Sequence, residues 1–380
     1  MKVLIITNSF PPKIDGVGDY TFHLHHHLSS IFETFVVCNY DPLISNFLSE
    51  KNLHNQVFPI ISEWNLKSFL QIFKLAKDLN IDKLLLQYVP YSYDKYGIPW
   101  KLILFSLLSK IFRFKYSIYF HETSIRLFGY GIKSFFIGFL QRTIAFFLCL
   151  FSENIFTNTY FGQLLLSPFN SKVLFVPSNF EINIDKAESN NSNYNISEFK
   201  IVSFLNRCDD VLLSSILYLH KNINSQIRLI LIGESSKKHR TETIQKIQLF
   251  DLNKVITIID DKNPDRIAKE LFNANLYIQI EKLFNKIEGG ISTKSGLIMT
   301  AMYAGLPIIS TRGDMTDSFF FRDKENLLLI TQNTANLLCN NIICLLENSN
   351  MSKNIGINAR NTYYKYASWK MHINILAKSL

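Results

Sequence analysis

One segment of the chain, residues 288–311, restricts the possible folds more than any other. It reads EGGISTKSGLIMTAMYAGLPIIST and joins a polar, glycine-rich loop to an apolar helix and then to a short β-branched strand. Gly305 and the proline that follows shortly after it end the helix, and the β-branched run suits a strand buried between helices. This order of elements predicts an α/β sheet with a ligand site at the start of the helix.

The loop in this segment carries groups that suit an anion and a sugar. Gly289 and Gly290 allow backbone N–H groups to approach a ligand closely. The residues after them supply hydroxyl groups and one positive charge at a helix N-terminus, where free amides and the helix dipole favour phosphate. These residues are Ser292, Thr293, Lys294 and Ser295.

The length and composition fit two globular α/β domains. A chain of 380 residues is long for one core, and its 47% hydrophobic content argues against disorder. Strand-like and helix-like segments alternate, which favours parallel sheets covered on both faces. The predicted strands of the first half are residues 2–7, 34–38, 83–88, 116–120, 154–157 and 173–176, and those of the second half are residues 200–204, 228–232, 255–259, 275–280, 307–310 and 327–330.

The domain boundaries follow from a change in composition. Residues 181–198 are rich in Asn, Ser and charged side chains and read as a linker. We therefore predict a first domain over residues 1–180 and a second over residues 199–365. Residues 366–380 form a final helix.

Two polar groups directly follow predicted strands of the first domain, where open parallel sheets bind their ligands. Asp15, Gly16, Val17 and Gly18 come after the first strand and open a helix; the run lacks the third glycine of a dinucleotide fingerprint, and a plain strand–helix turn also explains it. His121 ends the strand YSIYF. It is a candidate site residue or, alternatively, a buried histidine with a polar partner.

Several segments together resemble the retaining glycosyltransferases of family 4, which have the GT-B fold. Besides residues 288–311, the resemblance rests on KVLIITNSFPPKIDGVGDYTFHLHHHL near the N-terminus, on LLLQYVPYSYDKYGIPW, and on IYFHETSIR. The matches occur in the expected order along almost the whole chain. The resemblance implies two Rossmann-like domains whose parallel sheets face each other across a cleft, with the final helix packing back on the first domain.

The resemblance also implies roles for particular residues. His121 would lie near the donor sugar, Glu288 would bind sugar hydroxyls, and Arg207 would stabilise the leaving phosphate together with Lys294. The donor loop would include Ile291. Thr300 falls where related enzymes have a second glutamate that holds ribose; alternatively, it is a core-facing threonine of the helix. Glu325 is a further nucleotide contact or a residue of a surface turn. Related enzymes carry a lysine shortly after the arginine, whereas this chain reads RCDDVLLSS.

We therefore predict a metal-independent, hexosyltransferase-type enzyme. It would move a sugar from a nucleotide-diphosphate donor to a glycan or polyprenyl-diphosphate-linked acceptor in surface polysaccharide biosynthesis, with retention and without a cofactor. No metal is expected, because the four histidines of the first helix are joined by no carboxylate or cysteine and because the resemblance implies a fold that characteristically works without a metal. The alternatives are a GT-B nucleotide-sugar epimerase and a degenerate GT-B protein that binds a sugar or a partner without turnover.

The net charge of +9 raises the question of an anionic partner. The segment KLILFSLLSKIFRFK interleaves cations with apolar residues, which suits a helix on an anionic membrane surface; core-facing helices with solvated charges explain it equally well. No nucleic-acid motif accompanies the charge. With no signal peptide and no uninterrupted apolar run of spanning length, we expect a cytoplasmic location. If the basic helix binds an anionic membrane, the protein would be peripheral at the inner face of that membrane.

Overall fold

A computed structural model describes residues 1–13, 15–129, 131–178, 198–223, 226–233, 235–260 and 264–380. The chain divides into two compact units. Unit 1 comprises Met1–Val176 and Trp369–Leu380, and unit 2 comprises Pro177–Ser368. Both units are α/β structures built around a parallel sheet.

Within the described residues, unit 1 contains a seven-stranded parallel sheet with the strand order β3-β2-β1-β4-β5-β6-β7. Its strands are β1 (Lys2–Ile6), β2 (Glu33–Asn39), β3 (Val57–Ile61), β4 (Lys83–Tyr88), β5 (Lys115–Phe120), β6 (Asn154–Thr157) and β7 (Ser171–Val173). The helices up to this point are α1 (Gly16–Leu28), α2 (Ile44–Lys51), α3 (Leu66–Asp78), α4 (Pro90–Tyr93), α5 (Lys101–Ile111), α6 (Ile132–Phe151) and α7 (Tyr160–Leu165).

Helices cover both faces of this sheet. Phe69 of α3, Phe105 of α5 and Leu148 of α6 pack in one apolar cluster. A second cluster contains Leu24 of α1 and Leu48 of α2. Because the central strands are enclosed on both sides, they read as continuous apolar runs rather than as an alternating pattern.

Unit 2 contains a six-stranded parallel sheet with the order β10-β9-β8-β11-β14-β15 in its described part. The strands are β8 (Glu198–Phe204), β9 (Gln226–Ile232), β10 (Ile256–Ile259), β11 (Leu276–Gln279), β14 (Ile308–Thr311) and β15 (Leu328–Ile330), and β12 (Leu283–Phe284) pairs with β13 (Glu288–Gly289) in an antiparallel hairpin. The helices are α8 (Asp210–Asn222), α9 (Lys237–Leu249), α10 (Pro264–Phe272), α11 (Gly296–Ala304), α12 (Ala335–Glu347) and α13 (Ser349–Tyr366).

The last helix, α14 (Trp369–Ser379), belongs to unit 1 and packs on α1. The Trp369 ring stacks on Tyr20 with the centroids 5.7 Å apart. The Tyr20 hydroxyl also lies 2.6 Å from Nε2 of His372, whose Nδ1 lies 3.1 Å from the Phe175 carbonyl oxygen. These contacts explain how a segment from the far end of the chain becomes part of unit 1.

The structure departs from the strand predictions in three places. The strand predicted at 173–176 lies earlier, at Ser171–Val173. The predicted strands did not include β3, which reads VFPII; Pro59 is tolerated there because β3 lies at the edge of the sheet. The sequence analysis also missed the β12–β13 hairpin, whose strands have two residues each. The predicted linker, 181–198, lies outside the described residues, except for Glu198, which begins β8.

Candidate functional site

Asp15 forms the N-cap of α1 in unit 1. Its Oδ1 accepts hydrogen bonds from the backbone N–H groups of Val17 and Gly18 at 3.0 and 2.9 Å, and from the Ser9 hydroxyl at 2.6 Å. A Cβ atom on Gly18 would lie 3.2 Å from Ser9 Oγ, whereas one on Gly16 would meet nothing within 4 Å. The Asp15 side chain therefore fixes the conformation of the turn between β1 and α1 through these hydrogen bonds. Gly16, at the start of α1, borders open space.

His121 follows β5 and is buried against aromatic rings. Its ring centroid lies 4.7 Å from that of Tyr20 and 4.6 Å from that of Tyr119. Burial, and next the nearby His372, lower the pKa of His121 to about 3. The imidazole is therefore neutral near pH 7, so it can accept or donate a hydrogen bond but supplies no positive charge.

Gln87 is a residue of this region that the sequence analysis did not select. Its Oε1 lies 2.8 Å from His121 Nε2, and its Nε2 is buried with no hydrogen-bond partner. Gln87 lies near the carboxyl end of β4, in the otherwise apolar run LLLQY. A buried amide without a partner is unfavourable, so this donor suits a ligand oxygen; the polar residue within an apolar strand was the available signal.

Arg207 lies in a short 3₁₀ turn, Leu205–Arg207, after β8 in unit 2. Its Nη1 donates to Oε2 of Glu281 at 2.8 Å, and the carboxylate side chain is 17% exposed. The Nε atom of Arg207 is buried and has no hydrogen-bond partner. Glu281 thus holds the guanidinium of Arg207 through Nη1, and the Nε–H group remains as a donor for an anion.

Glu281, which follows β11, is the second site residue that the sequence analysis missed. Gln279 Nε2 donates to Glu281 Oε1 at 2.5 Å and lies 3.4 Å from Ser295 Oγ at the start of α11. The Glu281 backbone N–H donates to the Thr311 hydroxyl at 3.1 Å. The carboxyl ends of β8, β11 and β14 therefore converge on the helix N-terminus that the sequence predicted to bind phosphate.

The glycines of the predicted donor loop permit a close approach of two backbone segments. Gly289 and Gly290 have φ values of +116° and +84°. A Cβ atom on Gly290 would lie 2.3 Å from the Gly313 nitrogen. The Gly289 N–H donates to Asp314 Oδ1 at 2.9 Å, and the Ile291 N–H donates to the Thr311 carbonyl at 2.9 Å. These two amides are thus engaged within the protein, so they are not the ones that face a ligand in this structure.

Glu288 lies in β13, beside the tight turn of the hairpin. Its Oε2 atom is buried and has no hydrogen-bond partner, while Asn285 Nδ2 lies 3.5 Å from Oε1. A carboxylate oxygen in this state is a suitable acceptor for a sugar hydroxyl.

The remaining loop residues differ in their exposure. Thr293 is fully buried and Ser292 nearly so, whereas Lys294 is exposed. Ser295 is the N-cap of α11, and its side chain makes no capping hydrogen bond. The ends of Lys294 and Ser295 are therefore the loop groups placed to meet an anion at the start of α11.

Two residues that were predicted to contact the nucleotide, Thr300 and Glu325, make contacts within the protein instead. Thr300 is completely buried; its hydroxyl donates to the Gly296 carbonyl at 2.8 Å and lies 2.9 Å from Ser178 Oγ. Glu325 precedes β15, so it lies at the amino end of that strand, and it pairs with Arg322 at 2.9 Å. Ligands of parallel sheets bind at the opposite ends of the strands, so neither residue belongs to the site formed around Arg207.

The two aspartates found in place of the family's lysine also have structural roles. Asp209 caps α8 by accepting from the Leu212 N–H at 2.9 Å, and burial raises its pKa. Asp210 pairs with Lys246. Among the described residues, no group of three His, Cys, Asp or Glu side chains is arranged to hold a metal ion.

Three buried histidines of unit 1, His25, His121 and His372, have a lowered pKa and make its stability sensitive to acid. Burial lowers the pKa of His372 to about 4 and that of His121 to about 3, from ordinary values of 6.5. Below pH 6.5 the unfolded chain therefore binds protons that the folded chain does not. We expect the free energy of unfolding to fall by up to about 1.4 kcal/mol per pH unit for each histidine, and the loss to level off below the folded-state pKa values.

Urea unfolding at a series of pH values between 7 and 4 tests this expectation. A His372→Gln variant should show a shallower loss than the unchanged protein, because one of the three groups is gone. His54, which is exposed, provides the matched control: His54→Gln should leave the slope unchanged. Equal slopes for all three proteins would contradict the assignment.

Comparison with known proteins agrees with this architecture. Residues 197–362 match the model of the family described as glycosyl transferases group 1. No curated protein matches the chain. HepE from Anabaena, solved with UDP, is similar with a TM-score of 0.71 and 13% identity, covering 100% of this chain and 99% of that one. Sucrose-phosphate synthase from Thermosynechococcus elongatus matches with a TM-score of 0.69 and 12% identity, over 100% and 98% of the two chains.

A protein with different chemistry is also similar. The putative UDP-N-acetylglucosamine 2-epimerase from Listeria monocytogenes matches with a TM-score of 0.61 and 13% identity, over 99% of this chain and 95% of that one. At such identities the solved structures establish the fold. The predicted fold class, two parallel-sheet α/β domains of the GT-B type, is confirmed, and most of unit 2 matches a glycosyltransferase group 1 domain.

Proposed function

We propose that this protein is a glycosyltransferase that takes a sugar from a nucleotide-diphosphate donor. The observation that carries the proposal is a pair of unsatisfied buried groups in unit 2, inside the segment that matches the glycosyltransferase family. Among the described residues, Arg207 Nε is a donor without an acceptor, and Glu288 Oε2 is an acceptor without a donor. A sugar diphosphate supplies both missing partners, a phosphate oxygen and a sugar hydroxyl.

The chemistry of transfer explains why these groups are needed. When the anomeric C–O bond breaks, negative charge grows on the leaving diphosphate and positive charge grows on the sugar. Arg207, the exposed Lys294 and the N-terminus of α11 stabilise the diphosphate. Glu281 orients the guanidinium through the 2.8 Å ion pair and keeps it in place before the donor arrives. Transfer with retention, and without a metal ion, is part of the proposal.

The proposal extends to the acceptor and the first domain. We infer that the acceptor is a glycan or a lipid-linked saccharide of surface polysaccharide biosynthesis. In unit 1, Gln87 Nε2 and the neutral His121 provide hydrogen bonds for a polar ligand. HepE is solved with UDP and with UDP-glucose, so these two compounds are the first ligands to test.

Thermal unfolding in the presence of nucleotides tests the donor site. At about one hundred times its dissociation constant, a ligand of the native state adds about 2.7 kcal/mol to the free energy of unfolding. We expect UDP or another nucleoside diphosphate to raise the midpoint temperature. The increase should be lost in Lys294→Ala and kept in Lys221→Ala, which removes an exposed lysine at the end of α8. A flat response to every nucleoside diphosphate would count against the proposal.

An epimerase is the second candidate, and the similarity to the Listeria protein is the observation that favours it. The two activities are separated by incubating the protein with UDP-N-acetylglucosamine in the absence of any acceptor. Formation of the 2-epimer would identify an epimerase. A protein that binds the nucleotide sugar, but neither epimerises nor transfers it with a panel of lipid-linked acceptors, would be a degenerate binding protein.

A further inference from the structure

Helix α6 has two apolar faces, and the described part of the protein covers only one of them. Leu148 and Cys149 pack into the core of unit 1, and the buried Gln141 accepts from the Ile125 N–H at 2.7 Å and donates to the Gly97 carbonyl at 2.9 Å. The opposite face is exposed and consists almost entirely of Phe, Leu and Ile. At 3.6 residues per turn these side chains fall on one side of the helix: Ile132, Phe135, Phe136, Phe139, Leu140, Phe146, Phe147 and Leu150.

The exposures on this face are large for apolar side chains. Ile132 is 78% exposed, Phe136 is 59% exposed and Phe139 is 54% exposed. Phe128, in the segment before α6, is 75% exposed, and its ring centroid lies 5.7 Å from that of Phe135. Single exposed apolar residues need no explanation, but a contiguous apolar surface marks an interaction site.

The neighbouring helix also exposes apolar side chains. α5 packs beside α6 on the same face of the sheet. Its last turn and the residue after it expose Leu107, Ile111 and Phe112, which are 42%, 62% and 45% exposed. We refer to the exposed sides of α5 and α6, with Phe128, as the outer face of unit 1.

The stretch of chain that carries the outer face is rich in cations. From residue 95 to residue 152 the chain has a single acidic side chain, Glu122. The cations in the same stretch are Lys95, Lys101, Lys110, Arg113, Lys115, Arg126, Lys133 and Arg142. Lys110 and Arg113 are exposed at the end of α5, and Lys133 is exposed in the first turn of α6. Cations beside an apolar surface are complementary to an anionic lipid surface and unsuited to a basic partner.

Helix α6 is long and apolar enough to cross a membrane by length and composition alone. Its contacts argue for a different arrangement. One third of the most apolar 18-residue segment of α6 is buried inside unit 1, so removing the helix from the sheet would expose the core. It would also leave the two backbone groups that bond to Gln141 without their partner. A helix that is anchored on one side and apolar on the other lies in the plane of the interface.

From these observations we propose that the outer face of unit 1 docks on an anionic lipid bilayer, with α6 lying parallel to the membrane surface. The phenylalanine side chains enter the boundary between headgroups and acyl chains. Lys110 and Lys133 contact the anionic headgroups. This inference does not depend on the transferase activity, although an enzyme placed in this way would meet a lipid-linked acceptor at the membrane surface.

Vesicle flotation with the full chain tests the proposal. We expect the protein to float with phosphatidylcholine vesicles that contain phosphatidylglycerol, and much less with phosphatidylcholine alone. Lys110→Gln/Lys133→Gln should lower the partition coefficient by about 30-fold, because each basic residue near an anionic surface contributes a factor of about five. About 1 M NaCl, where the Debye length is about 3 Å, should have a similar effect.

The aromatic contribution is tested separately. Phe136→Ser/Phe139→Ser should abolish flotation without lowering the midpoint temperature of unfolding, because both side chains are exposed. The matched controls lie in unit 2: Tyr218→Ser/Leu249→Ser, which are 50% and 79% exposed, for the apolar change, and Lys237→Gln/Lys238→Gln for the charge change. Both controls should float like the unchanged protein.

Two outcomes would overturn the proposal. The first is that the unchanged protein fails to float with anionic vesicles at low salt. The second is that it forms a dimer, measured by light scattering, which Phe136→Ser/Phe139→Ser dissociates while vesicle binding is absent. In that case the outer face is covered by a second copy of the chain rather than by lipid.

Discussion

Replacing Arg207 by glutamine is expected to lower the rate of sugar transfer by about 10²–10³-fold, because one preorganised group that stabilises a developing charge typically contributes that much. Arg207 holds the position after β8 and has a buried Nε without an acceptor. Glutamine keeps polarity but loses the positive charge and the fork of donors. The measurement is kcat/KM for the nucleotide sugar, or the dissociation constant of UDP while the acceptor is being identified.

The same substitution also affects stability, so its control must separate the two effects. Without Arg207 the largely buried carboxylate of Glu281 loses its cation and keeps the hydrogen bond from Gln279. Losing a partner of this kind destabilises a protein by about 1–3 kcal/mol. Arg207→Gln/Glu281→Gln removes both charges and should recover stability but not activity. Arg228 provides the matched control, because it pairs with Glu198 on the surface near the amino end of β9.

The outcome for Arg228→Gln is expected to be near-normal stability and transfer, since exposed ion pairs contribute little. Two results would contradict the role given to Arg207. One is normal transfer by the double variant. The other is a loss of transfer in Arg228→Gln as large as that in Arg207→Gln, which would show that net charge matters rather than position.

Gly290→Ala is expected to destabilise unit 2 by about 2–5 kcal/mol. The φ of +84° places any L side chain in a backbone region that is about 1–2 kcal/mol unfavourable. In addition, the new Cβ atom would lie 2.3 Å from the Gly313 nitrogen and 2.7 Å from its Cα, so the two backbone segments must separate. Overpacking of this kind typically adds 1–3 kcal/mol.

Chemical unfolding measures this effect directly, and Gly16→Ala is the control. Gly16 also lies in a loop at the start of a helix, but a Cβ atom there would meet nothing within 4 Å. Its replacement should change the free energy of unfolding by less than about 1 kcal/mol. If Gly290→Ala were as stable as Gly16→Ala, the result would contradict the close approach of the backbone at Gly290 to the backbone at Gly313.

The sequence identified the fold class and much of the candidate site in unit 2. Residues 288–311 form the predicted order of loop, helix and strand, because glycine, proline and β-branched residues act locally on the backbone. The strand ends that carry His121 and Arg207 were also found, since apolar runs of strand length stop at polar residues. Their roles in binding stay predictions.

Glu281 and Gln87 were missed for a physical reason. Each is one polar residue in or after an apolar strand, and nothing in the neighbouring sequence indicates a partner. Glu281 meets Arg207, which is 74 residues away in the chain, and Gln87 meets His121 at a separation of 34 residues. Such pairs exist only because parallel strands bring their carboxyl ends to one edge of a sheet.

Thr300 and Glu325 show the reverse case, in which a residue considered as a nucleotide contact makes contacts within the protein instead. Thr300 falls on the buried side of α11, and Glu325 lies at the amino end of β15. Local pattern and backbone preference were thus determined by the sequence by itself, because they depend on interactions between near neighbours. The tertiary structure decided which polar groups meet, which are left without partners and which apolar face remains uncovered. Those properties depend on contacts between residues far apart in the chain.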